Sequence, residues 1–182
     1  MKIGMSYGVL LAAGCLAFAQ TGFVQMALAS AAPKQLYDKS VTLSWSESST
    51  NRRLSDGGMA NPVGNFEIIA YVSSAGRIFR RRSFVAGRYA KSGDRGPDDK
   101  GTGSATFEGN SLVLQGVNGA VARRLVASFD SAYSSCTLSV TVGKAGASPK
   151  WTGFDGAQYE LLTVSVGTSS CSIRDGNAFG GQ

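Results

Sequence analysis

Apolar and polar residues alternate along much of the chain after residue 32. Val41, Leu43 and Trp45 are separated by single threonine or serine residues, and the same period of two recurs over residues 136–142. This period places apolar side chains on one face of a β-strand whose other face meets solvent. Residues 66–72 (FEIIAYV) are largely apolar on both faces, which predicts a central strand.

Further strands are predicted from shorter runs of the same kind. They cover residues 77–84, 104–107, 111–117, 121–129, 159–166 and 169–173. Turn-forming residues lie between them at 74–76, 109–110, 118–119 and 167–168. About nine short strands joined by tight turns predict a single antiparallel all-β domain. Because strands adjacent in sequence can pair directly, a meander barrel is favoured over a two-sheet sandwich.

Two segments are predicted to be loops, and one a flexible tail. Residues 48–64 and 90–103 are dense in serine, aspartate, glycine and proline, with few side chains to bury. The predicted domain spans residues 32–175, and residues 176–182 are expected to form a flexible C-terminal tail.

The N-terminal residues have the pattern of a secretory signal peptide. Lys2 precedes an unbroken apolar run over residues 9–19, and small residues follow at cleavage-site spacing. We expect residues 1–31 to be removed near Ser30 or Ala32, which leaves a periplasmic or secreted chain without a transmembrane span. The alternatives are an uncleaved anchor and lipid attachment at Cys15, which ends the box-like sequence AAGC.

Two cysteines follow the predicted signal, Cys136 and Cys171. Exported chains with two cysteines commonly form one disulfide, and both residues follow Ser-Ser in strand-like surroundings. We therefore predict a structural disulfide between them. Two thiols are too few for a four-ligand zinc site, and these two lack the close spacing of a redox pair. No metal site and no cofactor is expected.

Composition narrows the chemistry further. The chain has no histidine and a formal net charge of +6, and Lys2 is the only charged residue within the predicted signal. The absence of histidine excludes a histidine general base and histidine metal ligands. A moderate positive charge is compatible with an anionic polymer or a phosphate-bearing membrane surface as partner.

Basic residues are concentrated in one predicted hairpin, which we call the basic hairpin. They are Arg77, Arg80, Arg81, Arg82, Arg88, Lys91 and Arg95, with Ile78, Phe79, Phe84 and Tyr89 among them. On a strand, Arg80 and Arg82 point to the face opposite Arg81. Arginine pairs with phosphate or carboxylate through two hydrogen bonds. The basic hairpin is therefore predicted to bind an anionic envelope polymer or lipid headgroups, and to depend more on Arg80 and Arg82 than on Arg123 and Arg124.

The alternative is that the basic hairpin protects a sheet edge. Its charges would then block addition of another strand and pair with Asp94, Asp98 and Asp99 in the following segment. The same three aspartates lack the regular spacing of a calcium loop. Nucleic acid is not expected as a partner for an exported protein.

The remaining candidates are carboxylates and aromatic residues. A hydrolase that uses two carboxylates would need a facing pair among the strand-borne residues Glu47, Glu67, Glu108 and Glu160, and their spacing pairs no two of them. Four aromatic residues either fill the core or line a cavity for a small apolar ligand. They are Trp45, Trp151, Phe154 and Tyr159.

The C-terminal third carries a resemblance. Its Ser-Ser-Cys strand and the later segment Cys-Ser-Ile-Arg-Asp-Gly-Asn resemble uncharacterised small exported proteins of Gram-negative bacteria, a resemblance that implies no activity. The sequence therefore predicts an exported, disulfide-bonded and non-catalytic binding or structural module. A barrel holding an apolar ligand and a carboxylate-dependent hydrolase are the alternatives.

Overall fold

Antiparallel β-strands make up most of the structure. The computed structural model describes residues 31–96 and 103–179. The predicted signal peptide up to Ser30, with Cys15, and the aspartates Asp98 and Asp99 lie outside these residues. Within the described ranges, no helix is both long enough and apolar enough to cross a membrane.

Eleven strands and one short 3₁₀ helix follow one another along the described residues. The 3₁₀ helix is Lys34–Leu36, and the strands are β1 (Lys39–Arg53), β2 (Met59–Ala60), β3 (Val63–Val72), β4 (Ile78–Ala86), β5 (Tyr89–Arg95), β6 (Gly103–Glu108), β7 (Ser111–Asn118), β8 (Val121–Phe129), β9 (Cys136–Lys144), β10 (Lys150–Thr152) and β11 (Gln158–Asp175).

The strands form two antiparallel sheets. The larger has the order β10-β11-β1-β3-β4-β5, with β2 paired to β1, and the smaller has the order β6-β7-β8-β9. One sheet is curled into a half-barrel. The predicted all-β, antiparallel single domain is confirmed, and β3 is central, as its apolar character on both faces predicted.

The core lies between the interior faces of the two sheets. On β1, Val41, Leu43 and Trp45 are buried and alternate with less buried serine and threonine, as predicted. On the smaller sheet, the buried residues include Leu112 and Leu125. Since each sheet has one apolar face, the two must cover each other to remove both faces from water.

The predicted loop over residues 48–64 is wrong for most of its length. β1 continues to Arg53 and pairs with β11, β2 and β3. Serine and asparagine suit this segment because their side chains bond to the neighbouring strand or to each other: Ser48 and Ser165 hydroxyls lie 2.8 Å apart, and the buried Asn51 donates to Ser49 Oγ at 2.9 Å. Likewise, residues 90–95 belong to β5 rather than to a loop.

A β-bulge replaces the turn predicted at residues 167–168. Trp45 pairs with Ser169 and Glu47 with Val166, so two residues of β11 lie opposite the single Ser46. A Cβ atom at Gly167 would collide with Ser46 Oγ, and that Oγ accepts a hydrogen bond from Thr168 N at 3.1 Å. The glycine therefore permits close approach within one continuous strand rather than a chain reversal.

The two sheets are also joined covalently. Cys136 at the start of β9 is bonded to Cys171 on β11, with the Cα atoms 5.6 Å apart, which confirms the predicted disulfide. Ser169 Oγ on β11 also donates to the carbonyl oxygen of Leu138 on β9 at 3.2 Å. These contacts hold one edge of the smaller sheet against the larger sheet.

The first residues of the predicted tail make specific contacts. Gly176 N donates to the carbonyl oxygen of Asp38 at 2.6 Å. Ser40 Oγ donates to Gly176 O and accepts from Ala178 N, at 2.8 and 2.9 Å. The ring of Phe179 packs against Tyr71, so residues 176–179 lie on the body of the protein, whereas residues 180–182 are outside the described part.

Candidate functional site

The strand register brings two of the predicted arginines onto the interior face of the larger sheet. Arg82 pairs with Ile68 of β3, and Ile68 pairs with Leu43 of β1. Cross-strand partners share a face of the sheet, so Arg82 is in line with a fully buried leucine. Arg80 is in line with Ala70 in the same way. Arg80 and Arg82 do share a face, and that face looks into the molecule.

A cavity of about 90 Å³ lies between the two sheets at this point. We call it the arginine cleft, because four arginines from three strands line it: Arg80 and Arg82 of β4, Arg95 of β5 and Arg123 of β8. Polar lining from the smaller sheet includes Ser104, Gln115 and Asn118, and Trp45, Ile68, Leu114 and Leu125 supply apolar surface.

Arg123 is held in place by a buried ion pair with Glu47. Its Nε donates to Oε1 and its Nη2 to Oε2, both at 2.6 Å. The two side chains are only 9% and 5% exposed. Trp45 Nε1 also donates to Oε1 at 2.6 Å, and the guanidinium lies over the ring of Phe66 at 4.8 Å. Three contacts therefore fix the orientation of Arg123, and the hydrogen bond from Trp45 fixes its partner Glu47.

One guanidinium nitrogen of Arg123 differs from the other two in its hydrogen bonding. Its Nη1 is buried and makes no hydrogen bond within the described residues. A buried charged donor without an acceptor costs free energy, and most buried polar groups have a partner. Arg123 lines the arginine cleft, and a ligand acceptor there would satisfy this donor after a small shift of the side chains that cover it.

The Arg82 guanidinium faces the same cleft, where burial and neighbouring positive charges disfavour its charged form. Burial lowers the pKa of its guanidinium, and the nearby positive charge of Arg123 lowers it further, while Glu47 acts in the opposite direction. Arg95 and Arg80 add to the lowering. The Arg82 side chain makes no hydrogen bond or ion pair in the described ranges, whereas Arg80 and Arg95 have further interactions. An anion in the cleft would relieve this repulsion.

The other residues of the basic hairpin lie away from the cleft. Arg81 is on the outer face, where it donates to both carboxylate oxygens of Asp94 at 2.8 and 3.0 Å. Arg88 lies over the ring of Tyr89 at 5.3 Å. Arg77 and Lys91 are exposed. The basic hairpin is thus divided between two faces, and β5 is the last strand of its sheet's order.

The predicted carboxylate candidates are dispersed over the molecule. Glu47 is bound to Arg123, Glu160 to Arg52 and Glu108 to Arg124. Arg81 donates hydrogen bonds to Asp94 and thereby lowers the pKa of the Asp94 carboxyl. In the part of the chain that the structure describes, no three acidic or cysteine side chains group as metal ligands do.

The predicted aromatic candidates divide in a similar way. Trp45 is buried and stacks on Phe66, and it lines the arginine cleft. Trp151 Nε1 donates to Asn51 Oδ1 at 3.0 Å and stacks on Tyr159. Phe154 is 54% exposed and stacks on Tyr89. Trp45 is thus the member of this group that lies in the wall of the arginine cleft.

Sequence reasoning missed the two central residues of the site. Arg123 served only as a comparison for Arg80 and Arg82, and Glu47 only as a carboxylate on a strand. A signal was present in both cases. Glu47 continues the inward series of Val41, Leu43 and Trp45, and Arg123 precedes Leu125 by two residues on β8. Two opposite charges at inward positions suggest a buried ion pair.

Comparisons with known proteins do not identify a family for this chain. No protein-family model, no curated protein and no solved structure matches the chain.

Proposed function

We propose that the protein is an exported, non-catalytic binding module, and that it holds an anionic component of the cell envelope in the arginine cleft. The observation that carries the proposal is the convergence of Arg82 and Arg123 from two sheets on one cleft, with Nη1 of Arg123 buried and without an acceptor among the described residues. A fixed and unsatisfied donor beside further guanidinium groups is prepared for an anion.

Export is supported by two independent features. The N-terminal sequence has the pattern of a secretory signal, and Cys136 is bonded to Cys171, as is usual in oxidising compartments. A periplasmic or secreted location is therefore part of the proposal, with lipid attachment at Cys15 as its alternative. Either location would bring the cleft close to anionic polymers and lipid headgroups.

The size and lining of the cavity favour an anionic group over an apolar ligand. Pockets for drug-sized ligands measure roughly 300–1,000 Å³ and are mostly apolar. The arginine cleft measures about 90 Å³ and has four arginines in its wall. It can therefore take one charged group of a larger molecule. The dispersed carboxylates support a binding role over a hydrolase, since a two-carboxylate mechanism requires a facing pair.

Binding to lipopolysaccharide at several salt concentrations tests this function. We expect binding by the disulfide-bonded mature protein to weaken steeply with salt. Arg82→Gln should weaken it about tenfold, the loss of one charge-assisted hydrogen bond. Arg124→Gln is the matched control, because it removes the same charge from an exposed side chain, 49% accessible, that pairs with Glu108.

Two results would contradict the proposal. Equal weakening by Arg82→Gln and Arg124→Gln would mean that only net charge matters, and the basic hairpin would then serve to protect the sheet edge. If the protein bound neither lipopolysaccharide nor heparin at low salt, the proposal of an anionic ligand would be wrong. Thermal melting of each variant must first show that the fold is retained.

A further inference from the structure

The donors of the arginine cleft converge from two different sheets. Arg82 comes from β4 of the larger sheet, and Arg123 comes from β8 of the smaller sheet. Ser104 on β6 and Gln115 on β7 add polar side chains on the second side. A bound group therefore meets donors on opposite sides rather than in one plane.

The shape of an anion decides how well it can use such donors. A carboxylate carries two oxygens in one plane and matches a single guanidinium fork. Glu47 already satisfies the fork of Arg123 formed by Nε and Nη2. The remaining Nη1 and the Arg82 guanidinium come from different sheets, so a group that meets both needs acceptor oxygens on more than one side. The oxygens of a tetrahedral group have that arrangement, and a phosphate monoester offers three acceptor oxygens.

The charge of the site also favours a phosphate over a carboxylate. Four guanidinium groups line the cleft; Glu47 pairs with Arg123, and Arg80 and Arg95 have interactions of their own. A phosphate monoester carries a charge of about −1.5 to −2 near pH 7, whereas a carboxylate carries a single charge. The doubly charged group gains more from several guanidiniums in a partly desolvated site.

From this geometry we infer that the arginine cleft recognises a terminal phosphate monoester group, held between Arg82 and Arg123. The inference rests on the proposed function and specifies its ligand. The phosphate can belong to a lipid headgroup or to a soluble phosphorylated molecule, because both present the same dianion. Glu47 acts as a positioning residue, since it holds Nε and Nη2 of Arg123 and does not itself offer a donor.

Competition among small anions tests the inference. Lipopolysaccharide binding is measured with inorganic phosphate, phenyl phosphate, sulfate or sodium acetate as competitor, at an ionic strength kept constant with sodium chloride. We expect the phosphates and sulfate to compete at concentrations at least about tenfold lower than acetate. Arg82→Gln should abolish this preference, and Arg124→Gln should retain it. Vesicles with and without phosphatidic acid then distinguish a lipid source from a soluble one.

The pH dependence adds a second readout. Phenyl phosphate becomes a dianion with a pKa near 6, and the chain has no histidine. The charged groups that face the site in the described elements are Arg80, Arg82, Arg95 and Arg123, with Glu47 behind Arg123. Phenyl phosphate should therefore compete about tenfold better at pH 7 than at pH 5, while sulfate, already a dianion, should not change.

The possible failures can be told apart. If acetate competes as well as phosphate while Arg82→Gln still weakens lipopolysaccharide binding, the site accepts anions in general, and the phosphate inference is wrong while the proposed function stands. If phosphatidic acid vesicles bind and no soluble phosphate competes, the cleft is not the phosphate site. If nothing anionic binds, the proposed function fails as well.

Discussion

At the scale of single residues, the site consists of charged side chains at interior positions of the strands, where apolar side chains are the rule. Arg82 lies in the same cross-strand row as Ile68 and Leu43, and Arg123 lies on the interior face with Leu125. Local departures from the pattern that builds the core are expected mainly at functional or strained positions. Composition alone could identify the concentration of arginines, but only the register shows which of them face inward.

We expect Arg123→Met to destabilise the protein by about 3–5 kcal/mol, because Glu47 would be left as a buried and unpaired charge. Replacing both partners, as Glu47→Leu with Arg123→Met, should recover much of this loss, since an apolar pair of similar volume removes the uncompensated charge. Urea unfolding of the disulfide-bonded protein measures both values.

Arg124→Met is the matched control for this measurement. Its side chain is 49% exposed and 3.4 Å from Glu108, so the expected cost is below about 1 kcal/mol. A loss of similar size for Arg123→Met and Arg124→Met would show that the Glu47 pair contributes no more than a surface ion pair. The methionine retains much of the apolar stem, which separates loss of charge from loss of packing.

At the scale of elements, the sequence predicted strands well where apolar residues alternate and poorly where they do not. The alternation of β9 and the apolar character of β3 were sufficient signals. The second half of β1 lacks that signal because many of its side chains are polar and bond across to β11 and to each other. The bulge at Gly167 resembles a turn in sequence because close approach and chain reversal both favour glycine.

The disulfide is a second feature at this scale that the sequence alone located correctly. Cys136 and Cys171 are 35 residues apart in sequence and join β9 to β11, strands of different sheets. Closing a loop of that length stabilises by about 3–4 kcal/mol in the chain-entropy account. The bond therefore restricts the unfolded chain and also ties the two sheets that form the arginine cleft.

Replacing both cysteines by serine should accordingly lower the free energy of unfolding by about 3–4 kcal/mol and weaken ligand binding. Urea unfolding of the double variant, compared with the oxidised protein, measures the first effect. The expected control is the single variant Ser169→Ala, which removes one hydrogen bond to Leu138 and should cost about 1 kcal/mol. An unchanged unfolding midpoint in the double variant would mean that the sheet contacts suffice without the bond.

At the scale of the whole molecule, the proposed function depends on how the two sheets face each other. The sequence predicted the all-β class because each strand signal is local. It could not predict the cleft, because Arg82 and Arg123 belong to different sheets and meet only through long-range pairing. The faces of individual strands were predictable, whereas the partner of each face depends on the register of every intervening strand.

The carboxyl and phenol groups whose pKa values shift on folding set the expected pH range of the whole protein. Hydrogen bonds from the hydroxyl and backbone N–H of Ser134 lower the pKa of Asp130 to about 2, and hydrogen bonds to Arg53 and Arg81 lower the pKa values of Asp56 and Asp94. These groups stabilise the fold above their unfolded pKa, and this contribution is lost as pH falls through the folded pKa.

Stability should therefore be flat between about pH 6 and 8 and decline at both extremes, because no histidine is present to titrate in between. On the acid side, Asp130 with its pKa of about 2 should lose its contribution last. On the alkaline side, hydrogen bonds to Asp38 and Asp155 raise the pKa values of Tyr71 and Tyr159 above that of an ordinary tyrosine. Each phenol stabilises the fold below its unfolded pKa, and the contribution is lost as pH rises through the raised folded value. Melting temperatures from pH 2 to 11 measure this profile, and a steep change between pH 6 and 8 would contradict it.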